Sequence, residues 1–147
     1  MVTGVELARG FYEDVVAPLL GERMPGLRYA AGRLGHGSDV LGLDDTTSRD
    51  HDWGCRLTLL VDSGGRPAVP AIADLMETSL PASYQGYPVR FAGSGQSTSR
   101  HWVDIATVGD FAEGLLGVDA VGGLTAADWL SLTGQSILEI VAGPVFA

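Results

Sequence analysis

Residues 34–53 read LGHGSDVLGLDDTTSRDHDW, and the fold turns on how this stretch is read. Gly37-Ser38 comes first, and eleven residues separate Ser38 from Asp50-His51-Asp52. Side chains alternate faces along a β-strand, so two carboxylates one residue apart point the same way if they lie on one. Like charges held together repel unless a cation sits between them. Asp50 and Asp52 are therefore a candidate divalent-metal pair, and the glycine-serine turn is a candidate phosphate cradle. The chemistry this suggests is metal-assisted transfer of a nucleotidyl or phosphoryl group.

Working outward, residues 4–16 read as a helix, with Leu7, Phe11 and Val15 recurring at a spacing of four. Pro18 should end or kink it. Residues 27–34 form a plausible first strand leading into the glycine-serine turn, and residues 51–61 a second. Asp62 to Pro67 carries a strong turn signal. Residues 68–80 look helical, with Ile72, Leu75, Met76 and Leu80 on one face and Pro81 as terminator. Residues 89–91 and 101–108 are the next strands. Residues 109–116 should be a helix with Asp110 near its N-terminus. Thr125 is a suitable N-cap for residues 126–132, and Ser136 with Glu139 fits a capping box for a last short helix. The two strand pairs are joined closely enough for antiparallel pairing. The expected class is α+β, a small mixed sheet with helices packed on one face.

A third acid is wanted beside the pair, as base or as second-metal ligand. Asp104 is the best candidate, because it sits amid apolar residues in HWVDIA, where an acid is costly unless paired or liganded. Arg49 and Arg56 are candidates to neutralise phosphate, although Arg56 reads equally well as a surface strand residue. His51-Asp52 also admits a metal-phosphohydrolase reading with His36 or His101 as further ligands, but such sites lie on helices and this region reads as strand. His101 otherwise reads as a surface or edge residue. Cys55, lacking a histidine base, reads as a buried structural thiol, and Trp53, Trp102 and Trp129 as core.

Composition narrows the partners. At 147 residues the chain is expected to be a single domain, residues 1–147. A net charge of −9 with only nine basic residues disfavours an extended nucleic-acid surface. One cysteine permits no internal disulfide and no thiolate zinc cluster. No stretch is apolar enough to span a membrane, and the start lacks the marks of a secretory signal, so the cytoplasm is the expected location. Oligomeric state is not legible.

The pattern of Gly-Ser followed about ten residues later by Asp-X-Asp resembles the nucleotidyltransferase superfamily that includes DNA polymerase beta. The longer string GHGSDVLGLDDTTSRDHDWG is similar to a bacterial group within it, the DUF4037 proteins. The likeness runs from FYEDVVAPLLGERMPGLRYAAGRLGHGS through HWVDIATVGDF to TAADWLSLTGQSILEIVAGPVF. It implies a nucleotidyltransferase-like fold, a nucleoside triphosphate such as ATP held at Gly37 and Ser38, and Mg²⁺ or Mn²⁺ at Asp50 and Asp52. Asp104 matches the third acid. His51 stands where the superfamily usually has an apolar residue. Family members also continue into a C-terminal helical region beyond the segment matching Val145-Phe146, which this chain is expected to lack. The expected activity is transfer of a nucleoside monophosphate from a nucleoside triphosphate to a hydroxyl of a small molecule or protein. The alternative is a weakly catalytic nucleotide-binding or protein-interaction module of antitoxin type.

Overall fold

The computed structural model describes residues 3–35, 54–92 and 99–147. The first helical run opens with α1 (Gly4–Phe11), capped by Thr3, whose hydroxyl accepts from the Glu6 N–H while Glu6 returns a bond to the Thr3 N–H. A π-helical turn, Tyr12–Val16, follows and leads into α2 (Ala17–Arg23). The expected spacing of four holds only as far as Phe11. The wider turn inserts one residue, so Val16 rather than Val15 takes the fully buried place, and Leu20 follows it into the core. Pro18 does not end the run. It falls in the first turn of α2, where its fixed φ and missing N–H are tolerated.

Among the described residues four strands form the main sheet: β1 (Ala30–Gly32), β2 (Arg56–Val61), β5 (Arg90–Ala92) and β6 (Ser99–Thr107), in the order β1-β2-β6-β5. The β1-β2 and β5-β6 pairs are antiparallel, as their connections predict, and β2 runs parallel to β6. The sheet is thus mixed and the class α+β. Between β2 and β5 lie a 3₁₀ turn (Ser63–Ala68), helix α3 (Val69–Ser79) and a small hairpin of β3 (Ser83–Tyr84) and β4 (Tyr87–Pro88). The Asp62 carboxylate accepts from the Gly65 N–H and so starts the 3₁₀ turn, where the sequence carries its turn signal. Leu80 leaves the helix in an extended conformation, as the residue before Pro81 should. The hairpin was not expected. Its turn needs positive φ at both Gln85 (52°) and Gly86 (81°), and only the glycine signals that in sequence.

One face of the sheet carries the core. Leu57, Leu59 and Val61 of β2 and Val103 of β6 alternate onto it and bury against Leu7, Phe11, Val16 and Leu20 of the first helical run and Ile72 and Met76 of α3. Three further helices follow: α4 (Val108–Leu116), α5 (Ala126–Ser131) and α6 (Gly134–Val141). Thr107 caps α4 by accepting from the Asp110 N–H, and Thr125 forms a capping box with Asp128 on α5. The box expected at Ser136 is displaced. Thr133 caps α6 one turn earlier by accepting from the Ser136 N–H, and the Glu139 side chain pairs with Gln135 instead. Helices do not all lie on one face, because α4 borders the face opposite the core.

The last residues lie along the free edge of β1. Ala31 N–H donates to the Ala147 carbonyl (3.0 Å), Phe146 N–H to the Ala31 carbonyl (2.7 Å) and Arg33 N–H to the Pro144 carbonyl (3.0 Å). The Phe146 ring stacks on Tyr12 at 6.3 Å between centroids, and the Arg9 guanidinium lies over the Phe146 ring, 4.7 Å from its centroid. A β1 edge that would otherwise offer unpaired backbone groups is covered.

Candidate functional site

Gly37, Ser38, Arg49, Asp50 and Asp52 lie outside the described residues, as do His36, His51 and Trp53. Asp104 is described, and its surroundings define the site. In the β2-β6 register Thr58 pairs with Asp104 and Arg56 with Trp102, so these four residues share the sheet face opposite the core. The expectation that Asp104 is an acid stranded among apolar neighbours does not hold, because its side chain is exposed. Alternation explains this, since Val103 points into the core and Asp104 therefore points away from it.

Asp104 opens onto a cavity of about 260 Å³. Arg33 and Arg56 supply its cationic wall, and Leu34, Phe111 and Leu115 its apolar wall. Phe111, Gly114 and Leu115 fall three and four residues apart on α4, which puts them on one side of that helix. Apart from its own helix backbone and chain neighbours, no atom among the described residues lies within 4 Å of where a Cβ on Gly114 would sit. Gly35 bounds the cavity with φ +89°, a conformation side chains rarely adopt.

The chain is held firmly where it approaches the glycine-serine motif. Arg33 is only 3% exposed, and its Nη1 donates to the Leu34 carbonyl at 3.0 Å. The Thr58 hydroxyl donates to the same carbonyl at 3.5 Å, and the Gly35 N–H to the Glu139 carbonyl of α6 at 3.1 Å. The Arg56 guanidinium lies over the Trp102 ring, 4.0 Å from its centroid. Residue 35, the last described before the motif, is thus fixed by β1, β2 and α6 together.

Asp110 of α4 reaches the cavity rim. Arg66 grips its carboxylate with two bonds, of 2.6 and 3.1 Å, and holds it below the usual carboxylate range. Its own backbone N–H is taken by Thr107, so Asp110 serves the start of α4. Asp104 differs. Among the described residues its carboxylate accepts no hydrogen bond and forms no ion pair.

Arg33 and Phe111 were missed as lining residues. A charged residue at the end of a strand of small residues, directly before the glycine-serine turn, was the available signal for Arg33. Two other expectations change. His101 is buried, at 8% exposure; its Nδ1 accepts from the Val103 N–H and its Nε2 lies 3.6 Å from Glu77, which also pairs with Arg90. Trp129 is 61% exposed, so it is not core. Cys55 is fully buried as expected, and burial pushes its thiol up to about 12.

No three His, Cys, Asp or Glu side chains among the described residues cluster closely enough to hold a metal ion. No helix among the described residues is long and apolar enough to cross a membrane. In comparisons with known proteins, no family model matches the chain, no curated protein is similar to it and no solved structure matches it.

Proposed function

We propose that this chain is a Mg²⁺-dependent nucleotidyltransferase-like domain that moves a nucleoside monophosphate from a nucleoside triphosphate to a hydroxyl. The observation that carries the reading is Asp104, an exposed carboxylate in mid-strand with no hydrogen bond or ion pair among the described residues, at a cavity that two arginines also line. The chain leaves that cavity at Gly35, two residues before Gly37-Ser38. In this reading Gly37 and Ser38 hold phosphate, and Asp50, Asp52 and Asp104 hold the metal. The donor set suits a hard divalent cation, being carboxylate oxygen throughout. The bound ion would neutralise charge on the reacting phosphate. In the same reading Asp104 also takes the proton of the acceptor hydroxyl. Arg49 and Arg56 attract the anionic substrate.

The test is to titrate Mg²⁺ and Mn²⁺ with and without ATP and follow release of pyrophosphate. Asp52→Asn should abolish metal-dependent nucleotide binding in a folded protein. Unchanged binding and transfer in that variant would sink the site assignment.

A second reading is favoured by the C-terminal helices. Trp129, Leu130, Ile137 and Val141 leave large apolar side chains in solvent, Leu130 at 89% exposure. That surface suits a protein-interaction module with little catalysis. A purified chain that captures a partner protein but never consumes nucleotide would establish it.

A further inference from the structure

We infer that Thr58 is a positioning residue of the proposed transfer site. Its hydroxyl orients the Leu34–Gly35 peptide, and so sets how the chain enters Gly37-Ser38 relative to Asp104. This rests on the nucleotidyltransferase reading, and it adds to that site a residue that acts through its neighbours.

The hydroxyl itself needs a physical reason. β2 reads RLTLLV, and Thr58 is its one hydroxyl. Leu57, Leu59 and Val61 turn to the core, so Thr58 faces the other side, and it is still only 3% exposed. A hydroxyl that deep costs free energy unless it is bonded, and valine would fill the same space in a strand equally well. Among the described residues its one partner is the Leu34 carbonyl, at 3.5 Å. That bond is long and contributes little to stability. The carbonyl does not depend on it, because Arg33 Nη1 already donates there at 3.0 Å. What the second donor adds is direction.

A peptide unit is planar, so its carbonyl and N–H move as one body. The Leu34 carbonyl and the Gly35 N–H belong to the same unit. Its oxygen is met by Arg33 just past β1 and by Thr58 from β2, and its N–H donates to the Glu139 carbonyl of α6 at 3.1 Å. Without Thr58 the plane keeps one support at each edge and can rock about the line between them. Beyond it the chain turns at Gly35, with φ +89°, and reaches Gly37 two residues later. Thr58 also pairs with Asp104 in the parallel β2-β6 register, on strands about 4.8 Å apart. One side chain therefore ties the approach to the phosphate turn to the strand position of the acid. Transfer needs those two parts aligned to within about 1 Å.

The experiment compares Thr58→Val and Thr58→Ser in the full chain. Valine keeps the shape and loses the hydroxyl, whereas serine keeps the hydroxyl and loses a buried methyl. Packing alone ranks valine above serine, and positioning ranks serine above valine. Thermal melts read stability. Calorimetry with Mg²⁺ and each of the four ribonucleoside triphosphates reads affinity. The inference predicts that Thr58→Val melts at or above Thr58→Ser. It should nonetheless bind the nucleotide preferred by the parent about threefold to tenfold more weakly, the reach of one neutral hydrogen bond. Thr58→Ser should bind within about twofold of the parent. Amide exchange at Gly35 should quicken more in Thr58→Val than in Thr58→Ser.

Nucleotide binding by Thr58→Val equal to that of the parent would overturn the inference and leave the transferase reading standing. So would affinity that follows stability, with serine the weaker binder. A Thr58→Val chain that melts well below Thr58→Ser would assign the hydroxyl to stability, and overturn the inference as well. No metal-dependent nucleotide binding in the parent would remove the transferase reading, and the role of Thr58 with it.

Discussion

Replacing Gly143 with alanine tests how the end of the chain is tied to the candidate site. A Cβ at Gly143 would run into the Arg33 carbonyl and press on the Leu34 side chain (2.9 Å), so the backbone must move apart there. Opposite it, a Cβ on Gly32 would stand 2.7 Å from the Pro144 carbonyl, which shows how closely the two backbones pass. Separation puts at risk the three backbone bonds from Ala31, Phe146 and Arg33 that seat the edge segment. At about 1 kcal/mol net for each, these amount to roughly 3 kcal/mol. The Arg9 contact over Phe146 adds about 0.5–1 kcal/mol at a half-exposed position. Gly143→Ala should therefore lose about 3–4 kcal/mol if the segment detaches fully, and less if it shifts. Urea denaturation followed by circular dichroism measures this, with a truncation after Gly143 as the reference for full detachment. Because Arg33 lines the cavity, amide exchange at Arg33 should quicken in both variants. A variant within about 0.5 kcal/mol of the parent, with unchanged exchange at Arg33, would refute the close packing of this segment on β1.

Further predictions concern pH, capping and the hairpin. Burial raises the Cys55 pKa to about 12, so the fold favours the neutral thiol. The stability it contributes is full below the unfolded thiol's pKa of about 8.5 and is lost as pH rises toward 12. The urea midpoint of the parent should fall with pH above about 9 more steeply than that of Cys55→Ala, and parallel curves would contradict this. Thr107→Ala removes the N-cap of α4, and should cost about 0.5–2 kcal/mol and loosen the Phe111 side of the cavity, read as loss of thermal stability together with faster amide exchange at the start of α4. Gly86→Ala forces a Cβ onto a φ of 81° and should cost about 1–2 kcal/mol without altering ligand binding; a neutral result would mean that the turn is not of this type.

Much of the architecture was legible because periodicity and punctuation are local. The alternation in β2 and β6, the helix stop at Leu80-Pro81 and the Thr125 cap needed only neighbours in sequence to be read. The departures come from contacts made at a distance. The Leu7-Phe11 spacing cannot announce the π turn that moves Val16 into the core, because the choice between Val15 and Val16 is settled by packing on the sheet. His101 reads as an edge residue until α3 brings Glu77 against it. Asp104 was singled out for an apolar setting it does not have. Its significance comes from the parallel register that sets it beside Thr58 and from α4 folding Phe111 over the same face. Arg33 joins the cavity only because β1 pairs with β2, a long-range choice that composition does not encode. The acids and glycine-serine turn that first suggested a site fall outside the described residues, so the link between them and Asp104 rests on the proposal.

The most direct measurement is a crystal of the full chain soaked with Mn²⁺ and a nucleoside triphosphate, inspected by anomalous scattering. The account predicts a manganese peak at bonding distance, about 2.0–2.3 Å, from a carboxylate oxygen of Asp104, shared with Asp50 and Asp52, with the triphosphate at Gly37 and Ser38. A manganese peak bound elsewhere, or a nucleotide seated with no metal at Asp104, would contradict it.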